Sequence, residues 1–245
     1  MKVAIHQPHF LPWLGYLDRM IQSDLFILLD HVQFERRNYQ NRTQIRIGDE
    51  ARWLTVPVVQ LSQKEKIIDK LVDNPPQPMA RWWGANHYQT LRFAYRKAPY
   101  FDRYGPAIKE ILEARWHRLV GLDHEMLKFL LAAFEIDTPI ARSSDIPVEG
   151  ARSGLLLNLC KAVGADTFLG GMGGSRHYLD ADAFAEAKVG VEWQQFTHPH
   201  YVQCGSSAFI PGLTALDALF NCGPYAVELL PRKGKRQHAD ERIAA

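Results

Sequence analysis

Cysteine is scarce in this chain. Cys160, Cys204 and Cys222 are the whole complement, an odd number without Cys-x-x-Cys spacing. That excludes a disulfide framework and a cysteine-built zinc cluster, and it makes a reducing cytoplasm the simplest compartment. Long apolar runs are missing too: stretches such as 25–29 and 129–134 fall far short of the roughly 20 residues a membrane span requires, so no span is expected. The opening Met1-Lys2-Val3-Ala4-Ile5-His6 soon loses its apolar character, and no small-residue cleavage site follows, so no export signal is expected. Neither sign of charge dominates. With 29 Lys+Arg against 27 Asp+Glu the formal charge is +2, which argues against a chain-wide grip on nucleic acid and confines any anion site to a local cluster.

What is present suits a self-contained fold. Of 245 residues 47% are hydrophobic and 23% charged, enough apolar material for a core and no sign of general disorder. The length fits one full-sized domain better than two. The expected organisation is a single α/β domain over 1–230 and a flexible basic tail over 231–245, whose charge run is read as solvated. There is no internal repeat or low-complexity segment.

Periodicity supplies the elements. Residues 3–6 read as a short buried strand. After a turn over 8–12, Trp13, Leu14, Leu17, Met20 and Ile21 recur at three- and four-residue intervals, an amphipathic helix that Pro12 can open because its missing N–H costs nothing there. The apolar run 25–29 has the length of a strand covered on both faces and completes a βαβ unit. Runs 43–47 and 52–58 flank Gly48-Asp49-Glu50 and read as a β-hairpin inserted over 43–58. A helical block then fills 78–135, with helices expected near 78–96, 100–117 and 122–135, broken at Ala98-Pro99 and Gly121. Alternation resumes with strands expected over 139–146, 166–170 and 191–196 and helices over 153–163, 180–187 and 213–220. This pattern selects an open, mostly parallel Rossmann-like sheet of the nucleotidyltransferase-like kind. Such sheets bind ligands at the carboxyl ends of their strands.

Polar residues concentrate at those ends. His6-x-x-His9 lies between a strand and a helix start, where paired imidazoles and a helix N-terminus suit a phosphoryl group; an imidazole satisfied in the core is the plain alternative for His9. Residues 31–42 put three guanidinium groups beside amides and two rings, a setting for phosphate, carboxylate or a base, although any single arginine there also fits a solvated face. Gly170-Gly171-Met172-Gly173-Gly174-Ser175-Arg176 allows close backbone approach to an anion, with Arg176 supplying charge, or else a simple hinge. It lacks the G-K-[ST] ending of a P-loop and does not match G-x-G-x-x-G. Thr197-His198-Pro199-His200 adds two imidazoles that, with His6 and His9, would need a carboxylate such as Asp30, Asp180 or Asp217 to complete a metal site.

The blocks His6-Gln7-Pro8-x-x-x-Pro12-Trp13-x-Gly15-Tyr16, Leu29-Asp30-x-Val32-Gln33-Phe34, Asn41-Arg42 and Trp53-Leu54-Thr55-Val56-Pro57-Val58 resemble those of the WbqC-like proteins. The likeness continues through Ala98-Pro99-Tyr100-Phe101, Gly170-x-x-Gly173-Gly174 with Tyr178-Leu179, and His198-Pro199-x-Tyr201 with Gln203, so it covers nearly the whole chain. The resemblance implies a role in bacterial surface-polysaccharide (O-antigen) building-block synthesis, with transfer of a glycyl or related amino-acyl group.

The combined expectation is a transferase working through an ATP-dependent adenylated intermediate. Its expected catalytic groups are His6, Asp30 and, as base, His198. Expected ligand-binding groups are Gln7, His9, Gln33, Arg37, Asn41 and Arg42 from the first half, and Gly170, Gly173, Gly174, Arg176, Tyr178, His200, Tyr201 and Gln203 from the second. ATP or a nucleotide sugar is the expected anionic ligand, with magnesium accompanying it and no structural metal; nucleic acid is not an expected partner. Two rivals stand beside this reading. One is a metal-dependent hydrolase or cyclase using His6, His9, His198 and His200; the other is a non-catalytic module that binds a nucleotide sugar.

Overall fold

The structure is a computed structural model and describes residues 1–75, 82–171, 173–205 and 208–232. The first βαβ unit forms as its pattern dictates. Strands β1 (Lys2–His6) and β2 (Leu25–Leu28) pair in parallel and are joined by helix α1 (Leu14–Ile21). Ala4, Phe26 and Leu28 enter one buried cluster while Val3, Ile5 and Ile27 enter another, the two-sided burial that continuous apolar strands require. Leu14, Leu17 and Met20 of α1 cover the first face, each such side chain contributing about 2 kcal/mol by burial.

An inserted block follows β2. Strands β3 (Arg42–Ile47) and β4 (Glu50–Thr55) form a separate antiparallel hairpin. It turns through Gly48-Asp49, with Gly48 at φ +63°, a conformation that a two-residue loop demands at its first position. Helices α2 (Trp83–Tyr95), α3 (Phe101–Glu113) and α4 (Leu119–Ala133) complete the block. Gly84 lets α2 touch α3, since a Cβ there would sit 1.7 Å from the Leu112 carbonyl oxygen. Two expectations shift here. The first helix starts at Trp83, and part of the expected segment, 76–81, lies outside the described residues. Gly121 sits in the first turn of α4 instead of at a break; the chain breaks just upstream, where Trp116 donates to the Ile111 carbonyl and packs its ring toward Gly121.

The sheet then resumes with β5 (Ile140–Arg142), α5 (Arg152–Ala162), β6 (Thr167–Gly170), α6 (Ala181–Glu186), β7 (Gly190–Trp193) and α7 (Ala215–Cys222). β5 is shorter than its apolar pattern suggests because residues 143–145 leave the strand as a single tight turn that wraps the Asp30 carboxylate. Leu155, Leu156 and Leu159 of α5, with Phe184 of α6, cover the second face. All five strands are parallel, in the order β5-β2-β1-β6-β7. The winding runs outward from β1 through β2 to β5, then returns to the far side of β1 as β6 and β7. It therefore reverses between β1 and β6, and the carboxyl ends of those two strands bound the crevice where such sheets take ligands.

Candidate functional site

A cavity of about 500 Å³ opens at that crevice. Its walls come from the exits of four strands: Ile5 and His6 at the end of β1, Leu29 after β2, Gly171 after β6 and Gln194 after β7.

Among the described residues its one buried cation is Arg19, on the last turn of α1 and only 7% exposed. Nε donates to Gln194 Oε1 at 2.9 Å, and Gln194 in turn donates to the Gly15 carbonyl and to Asp18 Oδ2 at 2.8 and 2.5 Å. Gln194 thus fixes the guanidinium against α1. Among the described residues no carboxylate lies within ion-pair distance of Arg19. Burial pulls its pKa down, while Tyr16 and Asp18 nearby pull it back up; a guanidinium stays charged regardless. The Nη end lies against the Gly171 backbone, where any side chain would overlap it.

Two imidazoles face this cation. The His6 Nδ1 is 2.9 Å from the Gln7 carbonyl oxygen. A carbonyl can only accept, so Nδ1 carries the proton and the lone pair resides on Nε2. Burial, and then the Arg19 charge, lower the His6 pKa to about 3. For His9, burial, then His6 and Arg19, push the pKa well below the usual imidazole range. The rings stand edge to face at 4.6 Å, with Tyr16 about 5 Å from both and Tyr39 stacked on His9 at 5.3 Å. The Tyr16 hydroxyl donates to the Gln7 carbonyl at 3.1 Å. Among the described residues His9 Nδ1 is buried without a hydrogen-bond partner, a costly state unless something in the cavity completes it. The loop after β2 is tied to this floor: Gln40 donates to the Gln7 side-chain oxygen at 2.9 Å and accepts the Glu35 backbone N–H at 2.8 Å.

The cavity therefore gathers His6, Gln7, His9, Gly173, Gly174 and Tyr178 from the expected set, and adds Arg19, Gly171 and Gln194. Tyr178 faces the loop after β2 across the mouth, its pKa raised by burial and then by the Glu35 carboxylate.

The other expected residues stand elsewhere. Asp30 is fully buried and accepts from Ser143 Oγ, from the Ser144 backbone N–H and Oγ, and from Arg142 Nε, at 2.9–3.1 Å; these bonds fasten β5 to β2. Gly170 packs under Trp193, where a Cβ would be 2.6 Å from the ring, and Arg176 reaches over the same indole. Gln33 donates to the Gln63 carbonyl and Asn41 to the Val56 carbonyl. Arg37 is exposed at φ +63°, and its carbonyl accepts from Arg42. His198 donates from Nδ1 to the Pro199 carbonyl, and the His200 ring lies tilted 4.3 Å from Phe209. Tyr201 and Gln203 both donate to Asp217 Oδ1. The histidine pairs thus belong to different places. Among the described residues no group of three or more His, Cys, Asp or Glu is arranged to hold a metal ion, and no helix is long and apolar enough to cross a membrane.

Arg19 escaped the sequence reading because helical periodicity assigns Asp18, Arg19 and Gln22 to the polar face. A usable signal existed: α1 directly follows the first strand, and the paired glycines 170–171 leave room for a bulky neighbour.

Comparison with known proteins agrees with the resemblance of the sequence. The model of the WbqC-like protein family matches residues 7–229. The uncharacterized protein Rv1507c of Mycobacterium tuberculosis (strain ATCC 25618 / H37Rv) is 31% identical over 232 residues, covering 94% of this chain and 97% of that protein. No solved structure matches the chain.

Proposed function

The chain belongs to the WbqC-like protein family, and from that premise we propose that it is a transferase of bacterial surface-polysaccharide building-block synthesis whose cavity holds the phosphates of ATP or a nucleotide sugar. One observation carries the reading: a buried guanidinium without a carboxylate partner among the described residues, lying against a bare glycine backbone at the sheet's winding reversal. A buried charge is costly unless something of opposite sign completes it. Phosphate oxygens match the planar fork, and the crevice is where the fold type places nucleotides.

The surrounding groups suit the same ligand. His6 presents an unprotonated Nε2 that can accept a proton or hydrogen bond from an attacking amine or hydroxyl. In the transfer, an amino-acid carboxylate attacks the α-phosphorus of ATP and pyrophosphate leaves; the sugar nucleophile then attacks the acyl carbon and AMP leaves. Among the described residues Glu35 is the only carboxylate lining the cavity, so magnesium arriving with ATP would take most of its ligands from phosphate and water.

Isothermal titration of the full-length protein with ATP, and separately with a nucleotide sugar, tests the reading. One of them should bind, and Arg19→Ala should weaken that binding by about 10-fold or more, the worth of a charge-assisted hydrogen bond. Binding of neither ligand would end the phosphate reading. Binding without consumption of ATP, amino acid or acceptor in product assays would make the protein a binding module instead of a transferase.

A further inference from the structure

The rings of the cavity do not stop at its mouth. Tyr39, which stacks on His9 inside, meets Trp53 of β4 edge to face at 5.3 Å. Trp53 is 41% exposed, whereas its neighbour Leu54 is buried. The indole is nevertheless held: the Arg42 guanidinium carbon lies 3.9 Å from its ring centroid, and Arg42 donates to the Arg37 carbonyl. Among the described residues Arg42 makes no ion pair, and its buried Nε has no hydrogen-bond partner. A basic side chain is thus committed to orienting an aromatic ring that is partly open to solvent. Neither core packing nor charge pairing accounts for that arrangement.

We propose that Tyr39 and Trp53 form a shelf that stacks the base of a nucleotide, which rests on the reading of the cavity as a nucleotide phosphate site. The rings run without a gap from His9, beside Arg19, to the surface, in two steps of 5.3 Å each, so one ligand can touch both ends. A guanidinium over one face of an indole draws on its π electrons and leaves a surface suited to another flat π-system, the arginine–aromatic–base arrangement of nucleic-acid binders. Arg36 and Arg37 are exposed on the adjoining loop, so the surroundings also favour a ligand that carries phosphate over a neutral saccharide.

Titrations of the full-length protein with inorganic pyrophosphate, ADP and adenosine test the shelf. Wild-type protein should bind ADP more tightly than pyrophosphate. Trp53→Ala should weaken ADP binding by about 10-fold, within the range seen for single base–aromatic stacks, and leave pyrophosphate binding unchanged; Trp53→Phe, which keeps a ring, should recover most of the loss. An unchanged ratio of ADP to pyrophosphate affinity in Trp53→Ala overturns the proposal, as does a methyl glycoside that competes with ADP while adenosine does not. The phosphate reading is judged separately, by loss of pyrophosphate binding in Arg19→Ala. If pyrophosphate does not bind at all, that reading fails, and adenosine binding that disappears in Trp53→Ala still supports the shelf, whereas its absence overturns the shelf too.

Discussion

A Cβ atom at residue 171 would lie 2.1 Å from Nη2 of Arg19, so the glycine after β6 and the arginine of α1 compete for the same space. The two belong to elements far apart in sequence, the last turn of α1 and the exit of β6, and both line the cavity. Gly171→Ala should displace the guanidinium and reduce ATP or pyrophosphate affinity by about 10- to 100-fold, comparable to Arg19→Ala. Gly154→Ala is the control: nothing lies within 4 Å of a Cβ there, and in α5 the change should leave binding intact while raising stability by about 0.5–1 kcal/mol. Titration and thermal melts of the two variants check both statements.

Anion binding should take up protons. His6 and His9 are neutral because burial and the Arg19 charge disfavour imidazolium; an anion beside Arg19 reverses the second influence and raises both pKa values. Affinity should therefore fall as pH rises above about 3, the His6 value in the free protein. Titrations in buffers of different ionisation enthalpy should show net proton uptake that shrinks in His6→Gln and His9→Gln.

The same two imidazoles set an acid limit on stability. Their folded pKa values lie below the ordinary 6.5, so the unfolded chain takes protons first. The stability they contribute is present above about pH 6.5 and is lost progressively as pH falls toward about 3. His9→Gln should flatten this acid limb in melting temperatures recorded across pH.

Asp123 acts in the opposite sense. This residue of α4 is buried, neither carboxylate oxygen has a hydrogen-bond partner among the described residues, and burial raises its pKa well above 3.8. The folded state keeps the proton that the unfolded chain loses, so its contribution declines as pH rises above about 3.8. Relative to wild type, Asp123→Asn should gain melting temperature between about pH 4 and about pH 7; a constant difference across that range would show that Asp123 does not titrate differently in the two states.

Asp217 is a structural hub. Fully buried on α7, it accepts from Tyr95 and Tyr201 hydroxyls and from Gln203 at 2.8–3.0 Å, while Gln203 accepts from Arg46 of β3. Asp217→Ala strands these donors and should cost about 2–4 kcal/mol, whereas Tyr201→Phe should cost about 1 kcal/mol. Denaturant melts give both values, and nucleotide affinity measured on the folded fraction should stay near wild type.

The sheet was legible where burial left a one-dimensional trace. Leu25 to Leu28 read as a strand because both faces are covered, and Leu14, Leu17 and Met20 as a helix because one face is. Strand order left no such trace: that β1 lies between β2 and β6 depends on pairing across the whole chain. His6, His9 and the glycine turn were legible as candidates because polar and glycine residues at strand exits are unusual for a core. Arg19 was not, because its burial comes from Gln194 and Gly171, far away in sequence. The Tyr201–Gln203 segment shows the converse. Its aromatic and amide groups have the composition of a binding loop, yet they bond to a buried carboxylate that no local pattern connects to them.

The place of β1 in the middle of the sheet also bears on how the chain reaches its native state. Residues 2–6 are synthesised well before Thr167–Gly170, which complete their second edge. Until then Val3 and Ile5 lack α5 and Phe168 as cover, and one row of backbone groups on β1 has no partner. Non-local pairing of this kind slows folding and prolongs the lifetime of sticky intermediates. The hairpin and helices inserted before β5 can begin to form locally during that interval, but their buried cluster closes only when Leu216, Leu219 and Phe220 of α7 arrive, so both the central strand and the inserted block wait for the last part of the chain.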